Sequence, residues 1–122
     1  WLFGHSDGSI SVSEYLNYSD RTRKSIVGAI LSSGRNEIRI TEDWKIPVLV
    51  MHHEKDGCVW TTFNNAKRNF AKIQKTNKAN SEFATVVGGY EGPQPCSNGF
   101  HMYSGAFSEA LDYIENFIAR NK

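Results

Sequence analysis

Trp1-Leu2-Phe3-Gly4-His5-Ser6-Asp7-Gly8-Ser9 opens the chain, and the fold turns on how this stretch is read. Three apolar residues run into a Gly-x-Ser-x-Gly turn. From Ser9 to about Tyr18, Ile10, Val12, Tyr15 and Leu16 then recur at helical spacing. The pattern predicts a short strand, a tight turn and a helix. Small residues two positions either side of Ser6 let a strand turn abruptly into a helix. The serine hydroxyl is then exposed at the strand's C-terminal end, beside a helix N-terminus that favours negative charge. A Gly/Ser-rich strand-to-helix turn without chemistry fits the same residues, so the turn alone leaves both readings open.

Outward from this turn, apolar runs alternate with helix-period segments. Residues 26–31, 46–51 and 83–87 are short continuous apolar runs, the form taken by strands buried on both faces. Pro47 is tolerated at the start of its strand. Residues 61–76 space Phe63, Ala66, Phe70 and Ile73 for one helix face, with Thr61 or Thr62 as N-cap. Residues 105–120 align Phe107, Ala110, Leu111, Ile114, Phe117 and Ile118 in one stripe. The expected fold class is α/β, a mainly parallel sheet with helices on both faces.

The 122 residues suit a single domain, and no repeat, low-complexity tract or linker divides them. Lys and Arg number 14 against 13 Asp and Glu, a net charge of +1, which offers no electrostatic footing for a nucleic-acid partner. No apolar run approaches the roughly 18 residues of a membrane span. Lys67, Arg68, Lys72, Lys75 and Lys78 form a basic cluster, read as a solvated helix face rather than a phosphate site. The chain begins at Trp1 without a Met or a signal-like segment, as if inside a structural element, and so reads as part of a larger protein.

A serine hydroxyl needs a base, and the base needs an orienting carboxylate. The run 46–51 leads into His52-His53-Glu54-Lys55-Asp56-Gly57-Cys58. The run 83–87 is followed by a loop carrying Cys96-Ser97-Asn98-Gly99-Phe100-His101. Ser, Asp and His therefore follow three different strands, and in a parallel sheet those ends lie along one edge, where sites form. Glu54 is an alternative acid. His52 and His53 read as strand-end packing or as supports of the catalytic residues rather than bases, and His5 as a packed neighbour of Ser6.

On these residues the whole chain resembles the C-terminal half of an α/β-hydrolase-fold protein. Pro47-Val48-Leu49-Val50-Met51-His52-His53-Glu54-Lys55-Asp56-Gly57-Cys58 is similar to the acid-bearing strand and loop of bacterial members with a His-His-x-x-Asp-x-Cys pattern. Gly99-Phe100-His101-Met102-Tyr103 is similar to their histidine loop. The resemblance implies a serine hydrolase acting on a small ester or related acyl substrate, with Ser6 as nucleophile, Asp56 as triad acid and His101 as general base. It implies the backbone N–H of Asp7 as one oxyanion donor, and no cofactor.

If Asp56 and His101 meet, Cys58 and Cys96 are drawn together, and a disulfide between them is expected; two buried free thiols are the alternative. A disulfide would imply a secreted or periplasmic protein, reduced thiols a cytoplasmic one. A rival reading makes His52, His53, Cys58, Cys96 and His101 a zinc site, although no zinc spacing is matched. A further alternative is a non-catalytic hydrolase-like remnant or interaction module. A complete hydrolase site also needs a second oxyanion N–H from an earlier loop. With so little of the first strand present, the strand after it is expected to show an unprotected edge. The chain is therefore expected to need a missing N-terminal portion, a second copy or another chain as partner.

Overall fold

The computed structural model describes residues 1–77 and 80–122. Its elements are β1 (Leu2–His5), α1 (Gly8–Tyr18), α2 (Asp20–Lys24), β2 (Ala29–Ser32), β3 (Val48–His53), α3 (Phe63–Thr76), β4 (Ser81–Val86), a 3-10 turn (Gly99–Met102) and α4 (Phe107–Arg120). The four strands form one sheet in the order β1-β2-β3-β4, and every pairing is parallel. The α/β expectation therefore holds.

Helices cover both faces because successive strand side chains point to opposite sides. On one face, Ala29, Leu31, Val48 and Val50 pack with Val12 and Leu16 of α1 and with Ala66 and Ile73 of α3. On the other, Ile30, Leu49, Met51, Ala84 and Val86 pack with Ala110 and Phe117 of α4. All six positions of β3 are buried, the reason its sequence shows no polar alternation.

Several boundaries differ from the sequence reading. β2 begins at Ala29 rather than residue 26; Gly28, just before it, lies against the Trp1 ring, where a Cβ would sit 2.4 Å from Trp1 Cζ3. β3 runs on through His52 and His53, whose side chains are buried and hydrogen-bonded within the fold. β4 spans Ser81–Val86, shifted toward the N-terminus from residues 83–87. Thr62, not Thr61, caps α3 by accepting from the Asn65 N–H. The α4 stripe is narrower than expected, since Phe107 and Leu111 are exposed. The short α2 carried no apolar period; its Arg23 is buried, pairing with Asp20 and donating to the Leu16 carbonyl. The exposed edge is β1 itself, which forms a four-residue strand on β2. Lys67, Arg68, Lys72 and Lys75 are exposed on α3, and Lys78 lies outside the described residues.

Parallel register brings the strand C-termini together: His5 pairs with Ser32, Ser32 with Met51, and His53 with Val86. The loops leaving these ends share one rim.

Candidate active site

Ser6 occupies the turn between β1 and α1 with φ +55, a left-handed conformation that costs a non-glycine residue about 1–3 kcal/mol. The turn is locked from both ends. The Ser6 N–H continues the β1–β2 ladder to the Ser32 carbonyl at 2.9 Å, while the Ser6 carbonyl accepts from the Ser9 N–H and hydroxyl. Gly4 is sterically required, since a Cβ would stand 2.5 Å from the Gly8 carbonyl oxygen and 2.8 Å from Val12 Cγ2. Gly8 is not: a Cβ there would meet nothing within 4 Å. The Asp7 N–H, first after the serine, enters no hydrogen bond among the described residues. The Asp7 carboxylate pairs outward with Arg35, which also holds Glu37.

The structure brings Ser6, His101 and Asp56 into one line. His101 Nε2 lies 3.1 Å from Ser6 Oγ, and His101 Nδ1 lies 3.0 Å from Asp56 Oδ2. An ionised carboxylate only accepts, so the proton between them sits on Nδ1 and the Nε2 lone pair faces the serine hydroxyl. Such a line can take the proton of Ser6 as its oxygen attacks an electrophile.

Each member is anchored by its own loop. Asp56 Oδ1 accepts the Cys58 N–H at 3.0 Å, the turn formed by an Asp accepting from the second residue on. The His101 carbonyl accepts from the buried Ser33 hydroxyl at 2.8 Å. Tyr103, left-handed at φ +55, ends the 3-10 turn and sends its hydroxyl into the sheet, donating to the Met51 carbonyl and meeting Ser32 Oγ at 2.8 Å. His53 donates from Nε2 to the Gly88 carbonyl, accepts the Lys55 N–H at Nδ1, and stacks on Phe100 with ring centroids 4.3 Å apart. Cys58 and Cys96 form a disulfide with Cα atoms 4.7 Å apart, tying the Asp56 loop to the His101 loop.

Electrostatics follow these contacts. Burial alone would push the Asp56 carboxyl up; hydrogen bonds from His101, His52 and the Cys58 N–H outweigh it and hold Asp56 well below the usual carboxylate range. Burial first, then repulsion from His101, lowers His5 to about 4, so its ring is neutral at physiological pH. His5 Nδ1 meets Ser32 Oγ at 2.9 Å, and its ring lies 5.3 Å from that of His101. Burial raises Tyr103 to about 12, leaving its hydroxyl a donor over the ordinary pH range.

Glu54 is exposed and takes no part in the line; its N–H continues the β3–β4 ladder to the Val86 carbonyl. The zinc alternative fails: both sulfurs are spent on each other, and among the described residues no group of three or more His, Cys, Asp or Glu is placed to hold a metal ion. Among the same residues, no helix is long and apolar enough to cross a membrane.

Thr61 was not legible as part of the site, whereas His52 takes the supporting place the sequence offered for it. Thr61 is fully buried, with Oγ1 3.0 Å from both Asp56 Oδ2 and His101 Nδ1. His52 Nε2 lies 2.7 Å from the Thr61 carbonyl and 3.1 Å from Asp56 Oδ2. In sequence Thr61 is merely the first of two threonines before a helix.

No protein-family model, curated protein or solved structure matches the chain, which leaves side-chain geometry as the ground for a functional reading.

Proposed function

We propose that this chain is a serine hydrolase of the α/β-hydrolase kind that cleaves a small ester or related acyl substrate through an acyl-enzyme. One observation carries the reading: a serine hydroxyl on a strained strand-to-helix turn lies 3.1 Å from an imidazole whose other nitrogen lies 3.0 Å from a buried carboxylate. Ser6 Oγ attacks the acyl carbon while its proton passes to His101 Nε2. Asp56 stabilises the imidazolium from the Nδ1 side. The free Asp7 N–H at the start of α1 is a donor for the oxyanion as it develops. His101 then returns the proton to the departing alcohol, leaving Ser6 acylated. Water repeats the sequence, giving its proton to His101 and releasing the acid and free Ser6.

The disulfide favours an oxidising compartment, outside the cell or in a periplasm. The open edge along β1 is where a further strand would pair, whether from the same protein, a second copy or another chain. A monodisperse, stable monomer in sedimentation would count against that partner.

The test of the activity is labelling with a fluorophosphonate, which phosphonylates an activated serine and expels fluoride. The expected result is one label on Ser6, lost in Ser6→Ala. A chain that is folded yet unlabelled at Ser6 would overturn the reading in favour of a non-catalytic remnant or interaction module.

A further inference from the structure

His101 meets the Asp56 carboxylate through a single nitrogen, and a second contact at that nitrogen adds to what fixes the ring. Thr61 Oγ1, Asp56 Oδ2 and His101 Nδ1 stand about 3.0 Å from one another in a closed triangle, with Thr61 and His101 all but completely buried.

Proton counting in that triangle leaves one solution. Asp56 can only accept, Thr61 has one proton to give, and His101 Nδ1 either carries a proton or a lone pair. With the proton on Nδ1, the Thr61 hydroxyl donates to Asp56 Oδ2, its oxygen faces the Nδ1–H, and all three contacts are attractive. With the proton on Nε2, two lone pairs face each other at 3.0 Å between Nδ1 and Oδ2, a repulsion that neither the single Thr61 proton nor the His52 Nε2–H, shared between Oδ2 and the Thr61 carbonyl, removes. Burial makes the mismatch costly, since no water can supply the missing donor.

Thr61 is itself held. Its carbonyl accepts from His52 Nε2 at 2.7 Å, and its N–H donates to the Cys58 carbonyl at 3.1 Å. Asn36 braces the next residue, its Oδ1 accepting the Thr62 N–H at 2.8 Å. The hydroxyl is therefore presented from a fixed backbone.

We propose that Thr61 is a positioning residue that holds His101 as the Nδ1–H tautomer, with its Nε2 lone pair aimed at Ser6, and that His52 anchors Thr61 for this role. Thr61 touches no reacting atom and acts through the imidazole. The inference deepens the serine-hydrolase reading and rests on it for its catalytic meaning, while the orientation of His101 can be observed without any turnover.

The experiment compares Thr61→Val, nearly isosteric but without the hydroxyl, with Thr61→Ser, which restores it. Proton NMR observes the His101 Nδ1–H, identified by its loss in His101→Gln, and fluorophosphonate labelling of Ser6 is timed in parallel. The expected result is a displaced and faster-exchanging Nδ1–H in Thr61→Val, with labelling about 10- to 100-fold slower. In Thr61→Ser both readouts return to within about threefold of the parent. An unaltered Nδ1–H in folded Thr61→Val, or a Thr61→Ser variant as impaired as Thr61→Val, overturns the proposal. Should Thr61→Val not fold, Thr61→Ala is read against the same outcomes. If the parent chain is never labelled, the hydrolase reading falls while the NMR comparison still decides the role of Thr61.

Discussion

Along β4, side chains of α4 reach part of the outer edge of the sheet. Tyr113 donates its hydroxyl to the outward Thr85 carbonyl at 3.1 Å. Glu109 accepts the N–H groups of Val87 and Gly88, and Arg120 pairs with Glu82. Along β1 nothing comparable exists among the described residues. Leu2 and Ser6 bond inward to β2, so the backbone groups of Phe3 and His5 point away from the sheet, and the Phe3 side chain is 55% exposed. At the β4 edge one outward carbonyl and the two N–H groups just past the strand are satisfied by side chains of α4. The uncovered edge carries the strained serine turn. The two edge strands thus differ: β4 receives side-chain support from α4 at its outer edge, whereas the outer edge of β1, the strand that leads into Ser6, has none among the described residues.

Four perturbations test that asymmetry. The largest effect belongs to the covered side: reducing the Cys58–Cys96 bond, which spans 38 residues, should lower stability by about 3–4 kcal/mol, read from urea midpoints with and without reductant. A loss well under 1 kcal/mol would show that the loops beyond β3 and β4 are already held without it. On the β1 side, Gly4→Ala should cost about 1–3 kcal/mol and abolish Ser6 labelling. Gly8→Ala should stay within about 0.5 kcal/mol of the parent. Equal costs for the two would mean that the turn is not packed against α1 as described.

Opening the covered edge is the third test. Glu109→Ala leaves two N–H groups to water and should cost about 1–2 kcal/mol, and Tyr113→Phe about 1 kcal/mol. The double variant should self-associate more strongly with concentration in sedimentation, as an unprotected edge does. Unchanged sedimentation would mean that these side chains are not what guards β4.

The smallest effect is one of pH. An unfolded histidine binds a proton below about 6.5, whereas folded His5 does so only below about 4. Between those values the unfolded chain holds more protons, so stability should fall as pH drops from 6.5 toward 4. Asp56, held low in the fold, adds its own loss only at more acidic pH, below the ordinary carboxylate value of 3.8. His5→Gln should therefore flatten the slope between pH 6.5 and 5 in urea unfolding; an unchanged slope would place the titration elsewhere.

Much of the fold was legible because its signals are local. The β1 turn, the apolar runs of β2 and β3, and the helical periods of α1, α3 and α4 each fall within a dozen or so residues. Other features rest on contacts that no local window contains. Trp1 packs on Gly28 just before β2, two residues far apart in sequence. His52 and His53 extend β3 with buried imidazoles, His53 bonded through both nitrogens and His52 through Nε2. Phe107 and Leu111 lie on the apolar stripe of α4 but remain exposed. In the site, Ser6, Asp56 and His101 stood out because each follows a strand in a parallel sheet. Thr61 did not, since a threonine before a helix ordinarily signals a cap, and its neighbour Thr62 fills that office.

By itself the sequence determined what can be built from neighbours: an α/β alternation, a strand-to-helix turn exposing Ser6, and a carboxylate and an imidazole in loops after later strands. Only the tertiary structure decided which side chains meet. Ser6 and His101 are 95 positions apart, and Thr61 and His101 are 40 apart. Periodicity reports the burial of a face, which depends on the next few residues. Contact between strand ends depends on strand order and register, which long-range packing settles for the whole sheet at once.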